Sequence, residues 1–211
     1  MQAEARASGA LRDDSRLVIG VSGAQPDRAT SLAQEMAVSG VDLLVSWGIA
    51  GGLDPALPSG TLIVPGAVVG PAGERIGLAG ECRDTEHGGM IAGSDTVVST
   101  PDAKAAIRAA TGAVAVDMET HRVASVARDA GLPCIAIRAI SDPAIRALPP
   151  GTENVVDAAG NPRILPVIAG LIRRPASLGA LLAAKRDFDM ALGGLSVQGV
   201  KVLRDVIDGS G

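Results

Sequence analysis

Residues 112–144 read GAVAVDMETHRVASVARDAGLPCIAIRAISDPA, and no other stretch constrains the fold as much. An apolar strand, a helical segment closed by Gly131-Leu132-Pro133 and a second apolar strand follow one another. That succession is the unit of an α/β domain built on a largely parallel sheet. The pattern continues on either side. Residues 16–23 read as a buried strand ending in Ser22-Gly23, followed by a helix with Pro26 at its start and Gly40 as its stop. Residues 41–55 read as a strand running into a glycine-rich turn, and residues 60–70 as a strand pair broken at Pro65-Gly66. A long loop is expected over 71–89, an extended segment over 88–100 and a helix opened by Pro101. From Pro166 onward the pattern is helical, with a break at Arg173-Arg174-Pro175. At 211 residues the chain is expected to form one domain spanning 1–211, with a substantial core.

Both strands of the central unit end in acids, Asp117-Met118-Glu119 and Ile140-Ser141-Asp142. Ligands bind beyond the carboxyl ends of strands in open α/β sheets, so this edge is where a site belongs. Each acid also has a structural reading. Asp142 could cap the turn into Pro143. Glu119, in a first helical turn, could serve the helix dipole. Alternation along the second strand puts Cys134, Ala136, Arg138, Ile140 and Asp142 on one face. An arginine in so apolar a strand needs a partner, and a carboxylate at the sheet edge is the expected one. Met118 reads as core filler and His121 as a surface or interface residue. His87 lies in a loop without ligand partners at metal spacing, so no metal is assigned.

Gly48, Gly51 and Gly52 in SWGIAGGLDP form a turn whose backbone N–H groups could cradle a phosphate. The segment lacks the dinucleotide fingerprint. VSGAQPDRA supplies a second Ser-Gly strand end, with Arg28 nearby.

Composition excludes several classes. The formal net charge is −4 and no Lys/Arg run occurs, which argues against nucleic-acid binding. Cys82 and Cys134 are too few for a disulfide scaffold and fit a reducing cytoplasm. The first ten residues lack an apolar signal region, and no stretch reaches the roughly 18 uncharged apolar residues of a membrane span. There is one Phe, one Trp and no Tyr, so aromatic stacking must use Trp47 or Phe188, or come from a partner chain.

Taken together and in order, GIAGGLDPALPSGTLIVP, AGSDTVV and VDMET followed by GLPCIAIRAISDPA resemble the nucleoside phosphorylase and nucleosidase superfamily. The V-D-M-E element with R-A-I-S-D about twenty residues later carries most of the specificity, and the likeness covers most of residues 16–145. ISDPAIRALPP and the tail from Ile164 look most like the hopanoid-associated phosphorylase-like branch, which is linked to removal of adenine from adenosylhopane. The resemblance implies a three-layer αβα sandwich around a twisted mixed sheet. It also implies cleavage of an N-glycosidic bond through an oxocarbenium-like ribosyl cation. By the same resemblance Asp142 is the general acid at purine N7, and Glu119 accepts hydrogen bonds from the ribose 2′- and 3′-hydroxyls. Met118 packs beneath the ribose, and Ser141 and Arg138 orient the acids. Asp95, Val97 and Val98 run along the base, with the Val97–Val98 backbone reading its edge. The phosphate or water site falls to Ser22, Gly23, Arg28, Ile49, Ala50, Gly51 and Gly52.

No cofactor is implied beyond inorganic phosphate as a candidate co-substrate. The expected partners are a small or lipid-linked nucleoside and a second copy of the chain, and the expected location is the cytoplasm, with peripheral membrane contact for a lipid-linked substrate. A methylthioadenosine/S-adenosylhomocysteine-type nucleosidase and a catalytically silent nucleoside- or hopanoid-binding protein are the alternatives.

Three departures bear on these roles. Val97 stands where relatives often carry a stacking Phe, and Ile49 where many have a hydroxyl residue. The third lies at the N-terminus: residues 2–8, QAEARAS, resemble the loop that follows the family's first strand, yet no strand precedes them. The first strand is expected to be missing. Glu4, the candidate to orient a nucleophilic water, is then poorly anchored, with a disordered N-terminus through about Asp14.

Overall fold

The computed structural model describes residues 2–9, 11, 14–23, 25–80, 88–148 and 177–209. In chain order the first elements are α1 (Gln2–Ala7), α2 (Pro26–Val38), β1 (Leu44–Gly52), β2 (Leu62–Ile63), β3 (Ala67–Val69), β4 (Arg75–Gly77) and β5 (Met90–Gly93). Then come α3 (Pro101–Thr111), β6 (Ala115–Asp117), α4 (Thr120–Asp129), β7 (Cys134–Asp142), α5 (Ser177–Gly194), a π-helical turn (Leu195–Gly199) and α6 (Val200–Gly209).

One seven-stranded sheet runs in the order β2-β7-β1-β6-β5-β3-β4. The β1–β7, β3–β5 and β5–β6 pairs are parallel; β1–β6, β2–β7 and β3–β4 are antiparallel. The sheet is mixed, as the family resemblance implies, and not largely parallel as the strand–helix–strand pattern alone suggests. β1 lies between β6 and β7 and runs antiparallel to β6, so the two acid-bearing strand ends reach the same place from either side of β1. Gly51 marks that place, opposite Val116 of β6 on one side and Asp142 of β7 on the other.

Burial explains the long strands. β1 and β7 are covered on both faces, which is why β7 reads as a nearly unbroken apolar run. Between the sheet and α2 with α4 lies a core that includes Ile63, Val68, Ile91, Ala124, Ala127 and Ile140. Between the sheet and α1, α5 and α6 lies a second, with Leu62, Val64, Ile137, Ala191, Leu195 and Leu203. Helices therefore cover both sides of a curled mixed sheet, as the αβα expectation requires.

Two local readings need correction. The strand expected over 16–23 does not form: Arg16 lies in a turn, 17–23 have no regular structure, and Val18 is 65% exposed. Leu17 reaches the second core and Gly20 abuts Met36 and Leu32 of α2, yet no ladder bond from this segment is seen among the described residues. Apolar residues alone do not make a strand; a hydrogen-bonding neighbour does. Conversely, the expected loop 71–89 contains β4, which turns back on β3. Residues 81–87, and the expected helix start at Pro166 with its break at 173–175, lie outside the described residues. Among the described residues no helix is long and apolar enough to cross a membrane.

The helix that matters most to the site, α3, is fixed at both ends. Thr100 Oγ1 accepts from Ala103 N at 3.2 Å, Pro101 opens the first turn, and Gly112 closes the helix in the left-handed region.

Candidate active site

Arg138 is the organising charge. It is fully buried in β7, and both its Nε and its Nη2 donate to Asp117 Oδ2, at 2.8 and 2.6 Å. Nη2 also donates to Ser46 Oγ of β1 at 2.6 Å. The expected carboxylate partner is thus Asp117. The same carboxylate accepts from Thr120 N at 3.1 Å and from Thr120 Oγ1 at 2.6 Å, so Asp117 takes over the first backbone donor of α4. That releases Glu119 from helix duty. Glu119 makes no side-chain cap; its Oε1 accepts from Ser22 Oγ at 2.5 Å, and its Oε2 lies 4.0 Å from Arg138 Nη2.

Glu4 joins this group, which corrects the expectation of a disordered N-terminus. Residues Gln2–Ala7 form α1 and Glu4 is 8% exposed. β1 holds it twice: Trp47 Nε1 donates to its carbonyl at 2.9 Å, and Ile49 N donates to its Oε1 at 3.0 Å. The missing side chain of Gly48 makes this possible. A Cβ there would lie 2.9 Å from Glu4 Oε1 and 3.0 Å from Arg138 Nη1, so carboxylate and guanidinium converge on one bare glycine. Arg138 Nη1 is buried and has no hydrogen-bond partner among the described residues.

Asp142 is placed by a β-bulge. The register passes from Ala50 opposite Ile140 to Gly51 opposite Asp142, leaving Ser141 as the extra residue. The simple alternation that put Asp142 on the face of Arg138 therefore ends at Ile140. Asp142 does not cap the turn into Pro143. Its Oδ1 accepts from Ser141 Oγ at 2.6 Å and its Oδ2 from Lys104 Nζ at 2.5 Å. Burial raises its carboxyl above the ordinary carboxylate range, against the opposing pull of Lys104 and Ser141 and with a smaller push from Asp187.

Sequence reasoning misses Lys104. It stands in an alanine-rich helix and looks like a surface lysine, yet it is fully buried. The available signal is spacing: three residues before Ile107, it falls on the inward stripe of α3.

Other expected site residues divide clearly. The glycine turn is no turn: β1 continues through Gly52, with Gly51 and Gly52 paired to β6, so these backbones belong to the sheet and do not form an anion cradle. Ile49 N is committed to Glu4, and Arg28 lies on the exposed side of α2. Ala50 is core, and Ser22 serves Glu119. Gly23 is buried in the left-handed region just before α2. Asp95 accepts from Arg122 Nη2 at 2.7 Å, which holds its carboxyl below the usual range, and it also meets His121 Nε2 at 3.2 Å. His121, expected at a surface, is buried, and its ring fills the space a side chain on Gly93 would need. Val98 packs on a third core with Leu53, Ala92, Ala113 and Val116, while Val97 and Met118 are half-buried. Trp47 is spent on Glu4 and on Gly199 of the π-helical turn, and Phe188 is half-buried in α5. Among the described residues no group of three or more His, Cys, Asp or Glu is placed to hold a metal ion.

Residues 74–161 match the family model of the phosphorylase superfamily, and no curated protein matches the chain. Among solved structures, a Helicobacter pylori 5′-methylthioadenosine/S-adenosylhomocysteine nucleosidase variant with 5′-methylthioadenosine in its active site is similar over 99% of this chain and 95% of that one, at 19% identity and a TM-score of 0.69. The corresponding nucleosidase of Neisseria meningitidis, in complex with methylthio-immucillin-A, covers 90% of this chain and 79% of its own, at 19% identity and a TM-score of 0.64. The futalosine hydrolase of Helicobacter pylori covers 88% and 76%, at 21% identity and a TM-score of 0.62. The chain thus has the fold of these nucleosidases, and residues 74–161 resemble the phosphorylase superfamily.

Proposed function

We propose that this protein hydrolyses the N-glycosidic bond of a purine nucleoside, with water rather than phosphate as the nucleophile. The observation that carries this reading is the convergence of Glu4 Oε1 and Arg138 Nη1 on Gly48, with Glu119 beside them. A phosphate would need positive charge and free backbone donors. Here Arg138 is committed to Asp117, Ile49 N is committed to Glu4, and the carboxylates of Glu4 and Glu119 would repel a dianion. A water held between the two groups would instead accept from Arg138 Nη1 and give its proton to Glu4.

In this reading Asp142 donates a proton to purine N7. The C1′–N9 electron pair then withdraws into the base, and Glu119 anchors the ribose hydroxyls while positive charge builds on the sugar. The water oxygen bonds to C1′ and Glu4 takes the proton released, so the products are the free base and the free sugar. Met118, half-buried between the two acids of its strand end, is the apolar floor under the ribose.

The finer substrate proposal is adenosylhopane, with adenine released. Its support is the sequence likeness of residues 140–150 and of the tail from Ile164, part of which lies outside the described residues. The second reading, favoured by the names of the structural neighbours, is a small nucleoside such as 5′-methylthioadenosine. A second copy of the chain completing the site belongs to the same proposal.

The test is adenine release from both substrates, with and without inorganic phosphate, by wild type and Glu4→Gln. Phosphate-independent release that the Glu4 variant loses supports hydrolysis. Release that requires phosphate and yields ribose 1-phosphate overturns it. Turnover of adenosylhopane alone separates the finer reading from the second one.

A further inference from the structure

We propose that Lys104 is a positioning residue for Asp142: it holds Oδ2, thereby assigning the transferable proton to Oδ1, and it stabilises the carboxylate left after the proton has gone. This rests on the hydrolytic reading above, in which Asp142 is the acid.

The geometry is specific. An ammonium has three donors and no acceptor. Lys104 Nζ directs them at Asp142 Oδ2 at 2.5 Å, Pro143 O at 2.9 Å and Arg146 O at 3.1 Å, with Asp142 O at 3.5 Å as a fourth, longer contact. A hydrogen already points at Oδ2, so a protonated Asp142 favours carrying its proton on Oδ1. Ser141 can accommodate that change, because its Oγ lies 2.6 Å from Oδ1 and 3.2 Å from Ala50 O. With Asp142 ionised the hydroxyl donates to Oδ1; with Asp142 protonated it turns to Ala50 O and exposes Oδ1 for donation.

The charges around the carboxyl divide by element. Lys104 of α3 favours the ionised form, as does the Ser141 hydroxyl of β7. Burial and Asp187 of α5 favour the protonated form, and Arg146 offsets Asp187 with its Nε 2.7 Å from Asp187 Oδ2. Lys104 therefore prevents burial from making Asp142 too weak an acid to give its proton up. It touches no substrate in this scheme and acts through Asp142.

The test compares wild type, Lys104→Met, Lys104→Gln, Asp142→Asn and the Lys104→Met/Asp142→Asn double variant. The carboxyl of Asp142 is titrated by 13C NMR, and kcat/KM for adenine release is followed against pH. Without the lysine charge the titration midpoint and the alkaline limb should both move up by about one pH unit or more. The plateau rate should fall about 10- to 100-fold with KM little changed, since a weaker acid transfers its proton more slowly. In the Asp142→Asn background, removing Lys104 should change the rate by less than about twofold. Lys104→Gln keeps two N–H donors without the charge and serves if the methionine variant does not fold. A midpoint that stays in place in a folded Lys104 variant, or an equal loss in the double variant, overturns the proposal. If Asp142→Asn alone retains full activity, the hydrolytic reading fails, and the NMR midpoint still reports on Lys104.

Discussion

Arg138 and Asp117 meet through two nitrogens on a single oxygen, Nε at 2.8 Å and Nη2 at 2.6 Å from Oδ2, with both side chains sealed from solvent. Because Asp117 also takes the first N–H of α4, this contact ties the middle of β7 to the start of the helix that carries Glu119. Removing one member leaves a buried charge without its partner, which costs about 3–5 kcal/mol. Arg138→Met should lower the unfolding free energy by that amount in urea titration, and adding Asp117→Asn should recover part of it. A single variant less than about 1 kcal/mol below wild type would mean that water reaches the pair.

The pH dependence follows from Asp142. Its folded carboxyl sits above the ordinary range because of burial, and in the proposed mechanism it acts in its protonated form. As pH rises through that raised value the protonated fraction falls, so kcat/KM should decline on the alkaline side, at a midpoint above the ordinary value of about 3.9. The same shift has a stability sign: the native state holds this proton more tightly than the unfolded chain. Its contribution is therefore complete below the unfolded value and lost as pH rises through the folded one. Asp142→Asn should remove the limb and lower the rate by about 10²- to 10⁴-fold. A limb that survives in this variant would belong to another group.

Much of this site can be read in the chain, and what cannot has definite causes. Asp142 and Glu119 each have a structural reading on spacing alone and are singled out by the family resemblance, while Arg138 demands a carboxylate wherever it is buried. Which carboxylate it meets depends on β1 lying between β6 and β7, a non-local fact that periodicity does not encode. Residues 16–20 have a strand's composition without a strand's neighbours. Gly51 and Gly52 look like an anion loop because glycine marks both turns and close approaches; here Gly51 admits the Asp142 carboxylate, which would lie 3.3 Å from a Cβ added to it. Lys104 and His121 escape because a polar residue on a helix is ordinarily solvated, and only tertiary packing shows that these two are not.

Gly194 offers a test of packing alone. It sits at the end of α5, where alanine would ordinarily improve a helix by about 1 kcal/mol. A Cβ there would lie 2.4 Å from Gly60 O, a backbone atom that cannot rotate aside. Gly60 is itself fixed, its N donating to Ile140 O at 2.8 Å just before the bulge that sets Asp142. Gly194→Ala should therefore destabilise the fold by about 1–3 kcal/mol, against the propensity trend. Thermal denaturation checks it, and an unchanged or higher midpoint would show that α5 can shift from β7 without loss.

Trp47 is the single tryptophan, and its indole N–H is spent on the backbone of Glu4 at 2.9 Å while its ring packs under Gly199. A helix of six residues such as α1 has little stability of its own. Beside the packing of Ala7 in the second core, its hold on the sheet includes two donors from β1, Trp47 Nε1 and Ile49 N. Trp47→Phe keeps a smaller aromatic ring and removes one of the two donors, a loss of about 1 kcal/mol for the hydrogen bond. Hydrogen exchange across residues 2–9 should quicken about fivefold, the factor that free energy allows if α1 opens locally. If Glu4 positions the water, kcat should fall in proportion to the fraction of molecules with α1 open, while KM for the nucleoside holds, because the substrate itself is gripped elsewhere. Slow exchange with a lowered kcat would place the effect of Trp47 on the π-helical turn rather than on α1. Slow exchange with an unchanged kcat would mean that Ile49 N alone is enough to keep the Glu4 carboxylate beside Arg138.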